Sequence, residues 1–177
     1  MLKNNIVQMR DISHSDLELK VKWVNDPEVN RHLHYDIPIS LENTEKWYNK
    51  IKTDNSRYDG FFETIDGEKI GFGGILNINN LDKTGELYIT IGNKKFWNKG
   101  YGKSCVDLIL KKGFKDLKLK KIYALTEIDN ISACKLYESA NFKKEGILRK
   151  QIFNNSKNEN VDQIFYGILI GEYKNEN

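Results

Sequence analysis

Two cysteines and two prolines in 177 residues leave little room for several kinds of protein. Cys105 and Cys134 lack a CxxC spacing and both fall within helical patterns, so neither a disulfide framework nor a zinc site is expected. With so few prolines there is no proline-rich linker, and no internal repeat divides the chain, which is expected to form one domain over residues 1–177. Apolar runs fall far short of the ~20 residues that span a bilayer, and MLKNNIVQMR lacks the apolar centre of a signal peptide. No membrane partner is expected, and the compartment expected is the cytoplasm. A net charge of only +3, with lysines spread through helices and turns, argues against a nucleic-acid partner.

What is present is an ordinary globular composition, 39% hydrophobic and 30% charged, sufficient for a substantial core. Strands are expected at Ile6 to Met9, Tyr58 to Ile65, Lys69 to Asn77, Glu86 to Ile91, Ile122 to Ile128, Gly146 to Phe153 and Val161 to Ile170. Helices are expected from Ser13 to Val24, after Ser40, through Val106 to Leu117, and from Ser132 to Ala140, with Ser13 and Ser40 as N-caps and a break at Pro27. Asp66-Gly67 suits a type I′ hairpin turn. The polar end from Tyr173 to Asn177 is expected to fray.

Chemistry concentrates where the strand TGELYITIG passes through WNKGYGKS into a long amphipathic helix. Gly100 and Gly102 let backbone approach a ligand without a Cβ in between, and the first amides of the helix are unpaired and partly positive. Such a turn can cradle phosphates, or merely join a strand to a helix. It is not a P-loop, because Trp97 stands where the first glycine of G-x-x-x-x-G-K-[ST] belongs. It is not a Rossmann fingerprint either, because Cys105 occupies the position of the third glycine. Further on, Asn130 precedes a helix that carries Tyr137 seven residues later, two turns on. An amide side chain there offers a donor and an acceptor, and a phenol protonated at neutral pH can donate a proton to a departing thiolate. Tyr137 alone would more often be a core aromatic.

Together these residues resemble the GNAT acyltransferase superfamily. Trp97 to Gly102 correspond to its Gln/Arg-x-x-Gly-x-Gly/Ala pattern, and Asn130, Leu136, Tyr137 and Phe142 to its second motif. The segments KWVNDPEVNRHL and IPISLENTEKWY are similar to the acceptor-side helices of the branch with ribosomal-protein, spermidine and aminosugar acetyltransferases. The resemblance implies an α+β fold with a mostly antiparallel, twisted central sheet, splayed at the cofactor strand and flanked by helices. It implies an N-acetyltransferase that carries acetyl from acetyl-CoA to a primary amine of a small molecule or peptide, by direct attack in a ternary complex without a metal. A homodimer is compatible with it.

By that resemblance Ile89, Thr90 and Ile91 pair with the pantetheine arm, while Trp97, Asn98, Lys99, Gly100, Tyr101, Gly102, Lys103, Ser104 and Asn130 complete the cofactor site. Tyr137 is the general acid. Trp97 replaces the usual Gln or Arg, Asn141 replaces the glycine before Phe142, and Leu125 stands where some relatives carry a glutamate base. Glu127, on the face of Leu125, and then Glu86 are the candidate bases. His32, His34 and Asp36 are the acceptor-side candidates. His32-Leu33-His34 lacks a third ligand at useful spacing, so no metal is expected. Asp26, Glu28 and Asp36 give that region a mildly acidic cast, interrupted by Arg31, which suits a polyamine or peptide N-terminus and leaves an aminosugar open. The rival readings are a non-catalytic acyl-CoA-binding regulatory module of the same fold and a nucleotide-binding protein.

Overall fold

The computed structural model describes residues 2–3 and 6–173. The strands are β1 (Leu2–Lys3), β2 (Val7–Asp11), β3 (Tyr58–Thr64), β4 (Lys69–Asn79), β5 (Thr84–Thr90), β6 (Lys121–Glu127), β7 (Lys143–Asn154) and β8 (Glu159–Leu169). The helices are α1 (Leu17–Val24), α2 (Pro27–Asn30), α3 (Leu41–Ile51), α4 (Tyr101–Lys111) and α5 (Ile131–Ser139). The strands form one sheet in the order β1-β2-β3-β4-β5-β6-β8-β7. Every pairing is antiparallel except that of β5 with β6. This is the expected mixed architecture, with β1 and the short α2 added.

Alternation along the strands sends side chains to two cores. Phe62, Ile75, Leu87, Ile122 and Ile164 pack beneath α4 and α5, while Phe61 and Phe72 meet Leu17, Trp23 and Val24 of α1 on the other face, with α3 beside them. Neighbours Phe61 and Phe62 therefore serve opposite layers. Trp23 stacks on Phe61 at 5.7 Å between ring centroids. It also lies so close to Gly92 that a Cβ there would come within 2.1 Å of the indole, which explains a glycine at the exit of β5.

Local signals fix the helix starts. Ser40 Oγ accepts from the Asn43 amide at 3.1 Å, and Asp26 caps α2 with Pro27 in its first position. The expected break at Pro27 is thus a new helix start. The hairpin between β3 and β4 is not type I′. Only Gly67 is left-handed (φ 90°), and Gly67 N donates to Thr64 O, so the loop has three residues with the glycine absorbing the bulge. Asn141 adopts φ 65°, the left-handed helix exit for which asparagine stands in best for glycine. Tyr173 packs on Phe114 at 5.3 Å. The rest of the tail expected to fray, residues 174–177, lies outside the described residues.

Candidate active site

The parallel pairing of β5 and β6 runs only from Thr84–Lys121 to Glu86–Tyr123, after which the strands part. A cleft of about 1280 Å³ opens in the gap. Carbonyl directions along β5 follow from its other neighbour. A Cβ on Gly71 would sit 2.0 Å from Thr90 O, and one on Gly73 2.7 Å from Tyr88 O, so both carbonyls aim at β4. Strand alternation then turns the backbone of Leu87, Ile89 and Ile91 toward the gap. Ile91 O accepts from the Trp97 indole at 2.7 Å, which leaves the amide and carbonyl of Ile89 facing the cleft. Of the three residues expected to pair with a ligand arm, Ile89 is the one whose backbone is free to do so. Thr90 spends its backbone on β4, and Trp97 ties off Ile91 where a Gln or Arg was the usual residue.

The turn into α4 uses two left-handed residues, Asn98 (φ 56°) and Gly100 (φ 83°), the latter being the N-cap. Ser104 N reaches Gly100 O at 3.3 Å, so the amides before it lead the helix and point outward. Asn98, Gly100, Gly102 and Lys103 line the cleft, whereas Lys99, Tyr101 and Ser104 do not. Tyr101 packs edge-on against Phe96 at 4.7 Å. Open space surrounds the position of a Cβ on Gly100, so the backbone angle alone requires glycine. Gly100→Ala is expected to cost about 1 kcal/mol of stability, the penalty of a left-handed alanine, read by urea denaturation.

Across the gap, Asn130 caps α5, its Oδ1 accepting from Ala133 N at 3.2 Å while its amide group stays available on the cleft wall. Tyr137 is 5% exposed and leans on Phe142 and Tyr166. Its hydroxyl bonds no described residue, yet Asn30 Oδ1 is the single buried polar side-chain atom without a partner among the described residues. The phenol oxygen therefore opens into the cleft that Tyr137 lines. Burial, then the negative charge of Glu86, pushes its pKa up, so it stays protonated. Glu86 is half-buried on the same cleft and accepts from Asn77 Nδ2 at 2.8 Å. Both cysteines are buried and neither lines the cleft, and burial pushes the Cys105 thiol far up.

Glu127 is 1% exposed and accepts from four groups: His34 Nε2 at 2.6 Å, His32 Nδ1 at 3.2 Å, Lys157 Nζ at 2.8 Å and Asn154 Nδ2. Burial raises its pKa, but the bonds from Lys157, Asn154, His34 and His32 outweigh it and hold the value at about 2. A carboxylate so acidic and so fully occupied is a poor proton acceptor, which corrects its ranking as first candidate base. His32 and His34 line the cleft, whereas Asp36 is exposed and lies off it. The fold does bring carboxylates to the histidine pair that spacing alone missed, since ligand atoms of His32, Glu127 and Asp129 lie within 4.8 Å of one another. Lys157 bonds both carboxylates, at 2.8 and 2.6 Å, so the cluster is an ion-pair network centred on an ammonium. Sequence reasoning singled out neither Asn154 nor Lys157. Only the β7–β8 pairing brings them to Glu127.

A sheet that parts beside a glycine turn is the architecture of the GNAT fold, and the chain belongs to the GNAT acetyltransferase family, whose domain matches residues 7–143. It is an enzyme of the N-acetyltransferase class. It is 26% identical over 172 residues to the spermidine N(1)-acetyltransferase of Vibrio cholerae serotype O1, covering 97% of this chain and 98% of that protein. The corresponding enzyme of Escherichia coli K12 is 26% identical over 170 residues, 95% of this chain and 90% of that one. A crystal structure of spermidine N-acetyltransferase from Vibrio cholerae in complex with CoA and spermine superposes with a TM-score of 0.89 at 26% identity, covering 96% of this chain and 99% of the other. No described helix is long and apolar enough to cross a membrane.

Proposed function

We propose that the chain, acting as one domain, transfers the acetyl group of acetyl-CoA to a primary amine in a ternary complex. The observation that carries this reading is the unpaired backbone of Ile89 facing the gap, with the outward amides of α4 at one end and the Tyr137 hydroxyl on the same cleft. In this reading the pantetheine arm extends β5 by pairing with Ile89, and the pyrophosphate rests on the amides from Gly100 to Lys103, with Lys103 adding positive charge. Asn130 supplies amide donors to the same arm. A backbone amide of β5 polarises the thioester carbonyl, the neutral amine attacks it, and Tyr137 protonates the leaving thiolate.

Deprotonation of the incoming ammonium falls to Glu86 through water, because Glu86 keeps a free carboxylate oxygen and Glu127 does not. Glu127 instead positions His32 and His34 on the acceptor side. Thiol release with acetyl-CoA and a panel of amines tests the reading. Turnover is expected with at least one amine, and no thermal shift with acetyl-CoA or CoA would overturn it. Glu86→Gln is expected to lower kcat/KM roughly tenfold at pH 7, with the deficit shrinking as pH rises and more amine arrives neutral. A pH-independent deficit would assign Glu86 a structural role.

A further inference from the structure

The acceptor side of the cleft contains a buried cation with no carboxylate of its own. Lys20 of α1 is 4% exposed and lines the cleft, yet it makes no ion pair among the described residues. Its ammonium lies 4.1 Å from the ring centroid of Phe72, 4.9 Å from that of Trp47 and 5.1 Å from that of Tyr35, and it donates to the Tyr35 hydroxyl at 3.4 Å. Three aromatic faces compensate part of the desolvation of an ammonium, and one long hydrogen bond adds little. The carboxylate nearest in effect, Asp59, is already taken. Arg57 grips it with two bonds of 2.6 and 2.7 Å, and the Tyr88 hydroxyl donates to it as well. Two cations against one carboxylate leave this wall with one positive charge in excess.

Of the carboxylates that line the cleft, Glu28 and Asp129 already hold cations, and Glu86 accepts from Asn77 Nδ2. Asp26 and Glu28, which gave this region an acidic cast in the sequence, both bond Lys94 at 2.8 Å. Asp36 lies off the cleft, and Glu127 and Asp129 are held by Lys157. Arg31, also on the cleft wall, has no ion-pair partner among the described residues. Burial brings the Lys20 pKa down to about 8, with Asp59 opposing and Arg57 reinforcing the fall, so the side chain is still mostly charged at neutral pH.

We propose that the amine accepted by this enzyme carries an anionic group, a carboxylate or a phosphate, which Lys20 and Arg31 receive. The inference rests on the acetyltransferase reading above and sets this chain apart from polyamine acceptors, which bring no counter-charge for Lys20. A ligand oxyanion completes the environment of Lys20 by supplying the missing counter-charge, and Tyr35 is placed to share it.

The test measures binding to the protein loaded with free CoA, by calorimetry, with two matched pairs and a polyamine. Glucosamine 6-phosphate against glucosamine isolates a phosphate, lysine against cadaverine isolates a carboxylate, and spermidine is the polycation. At least one anion-bearing member is expected to bind ten or more times tighter than its counterpart and tighter than spermidine, and the responding pair identifies the group. Lys20→Met, which keeps length and removes the buried charge, should reduce that ratio at least tenfold. Arg31→Gln, at an exposed position where folding is not at risk, should also reduce it. The inference is overturned if neither pair shows a preference, if spermidine or cadaverine binds more tightly, or if the preference survives both substitutions. Failure of CoA itself to bind would instead sink the acetyltransferase reading, so the two are told apart at the loading step.

Discussion

Tyr137→Phe is expected to lower kcat by about 10²- to 10³-fold while leaving acetyl-CoA affinity nearly unchanged. Phenylalanine keeps the packing against Phe142 and Tyr166 and removes only the hydroxyl that opens into the cleft. Since that hydroxyl bonds no described residue, its loss orphans no partner, and the melting temperature should hardly move. The effect belongs at the lower end of general-acid losses because a thiolate with a thiol pKa near ~8.5 leaves fairly well unaided. The deficit should shrink above that pH. Single-turnover rates from pH 6 to 9 measure it, and a mutant with wild-type rates throughout would return Tyr137 to the role of a core aromatic.

Glu127→Ala is expected to act on stability first, costing about 3–5 kcal/mol, the usual result of removing one partner from a buried charge network. The loss is large because one carboxylate ties together three parts of the chain: His32 and His34 from the segment after α2, Asn154 at the end of β7, and Lys157 in the turn before β8. The pH dependence has a definite sign. The folded pKa, about 2, lies below the ordinary 4.5, so the stabilisation is complete above about pH 4.5 and is lost as pH falls toward 2. Urea denaturation of the wild type should therefore show stability falling across that window, and the Ala variant should lose that part of the slope. An equal acid slope in both proteins would show that Glu127 is not the group responsible.

The sheet and the cofactor side were legible because their signals are local. Alternation along TGELYITIG, the glycine at 100 and the placement of Asn130 before a helical pattern are local signals, and the structure has a strand, a left-handed cap and a helix start at those points. Tyr137 was singled out by its place two turns after Asn130 together with the family resemblance, and it lies on the cleft wall. The acceptor side was not legible. Asp26, Glu28 and Asp36 look like an acidic patch when read along the chain, but Lys94, some 66 residues away from Glu28, bridges the first two. Glu127 looked available as a base because its four partners come from positions as far as 95 residues distant. Lys20 reads as one more solvated lysine of an amphipathic helix until β4 and α3 bring Phe72 and Trp47 over it. Periodicity reports which face a residue occupies, and not which distant side chain meets it there.

The central claim is that CoA lies in the gap between β5 and β6 with its arm paired to Ile89 and its phosphates on the start of α4. Backbone hydrogen exchange with and without saturating CoA tests it most directly. The account predicts strong new protection at the Ile89 amide and at the amides from Gly100 to Lys103, with little change at Tyr88 and Thr90, which already face β4. Saturable CoA binding that leaves the Ile89 and Gly100–Lys103 amides exchanging as before would contradict it.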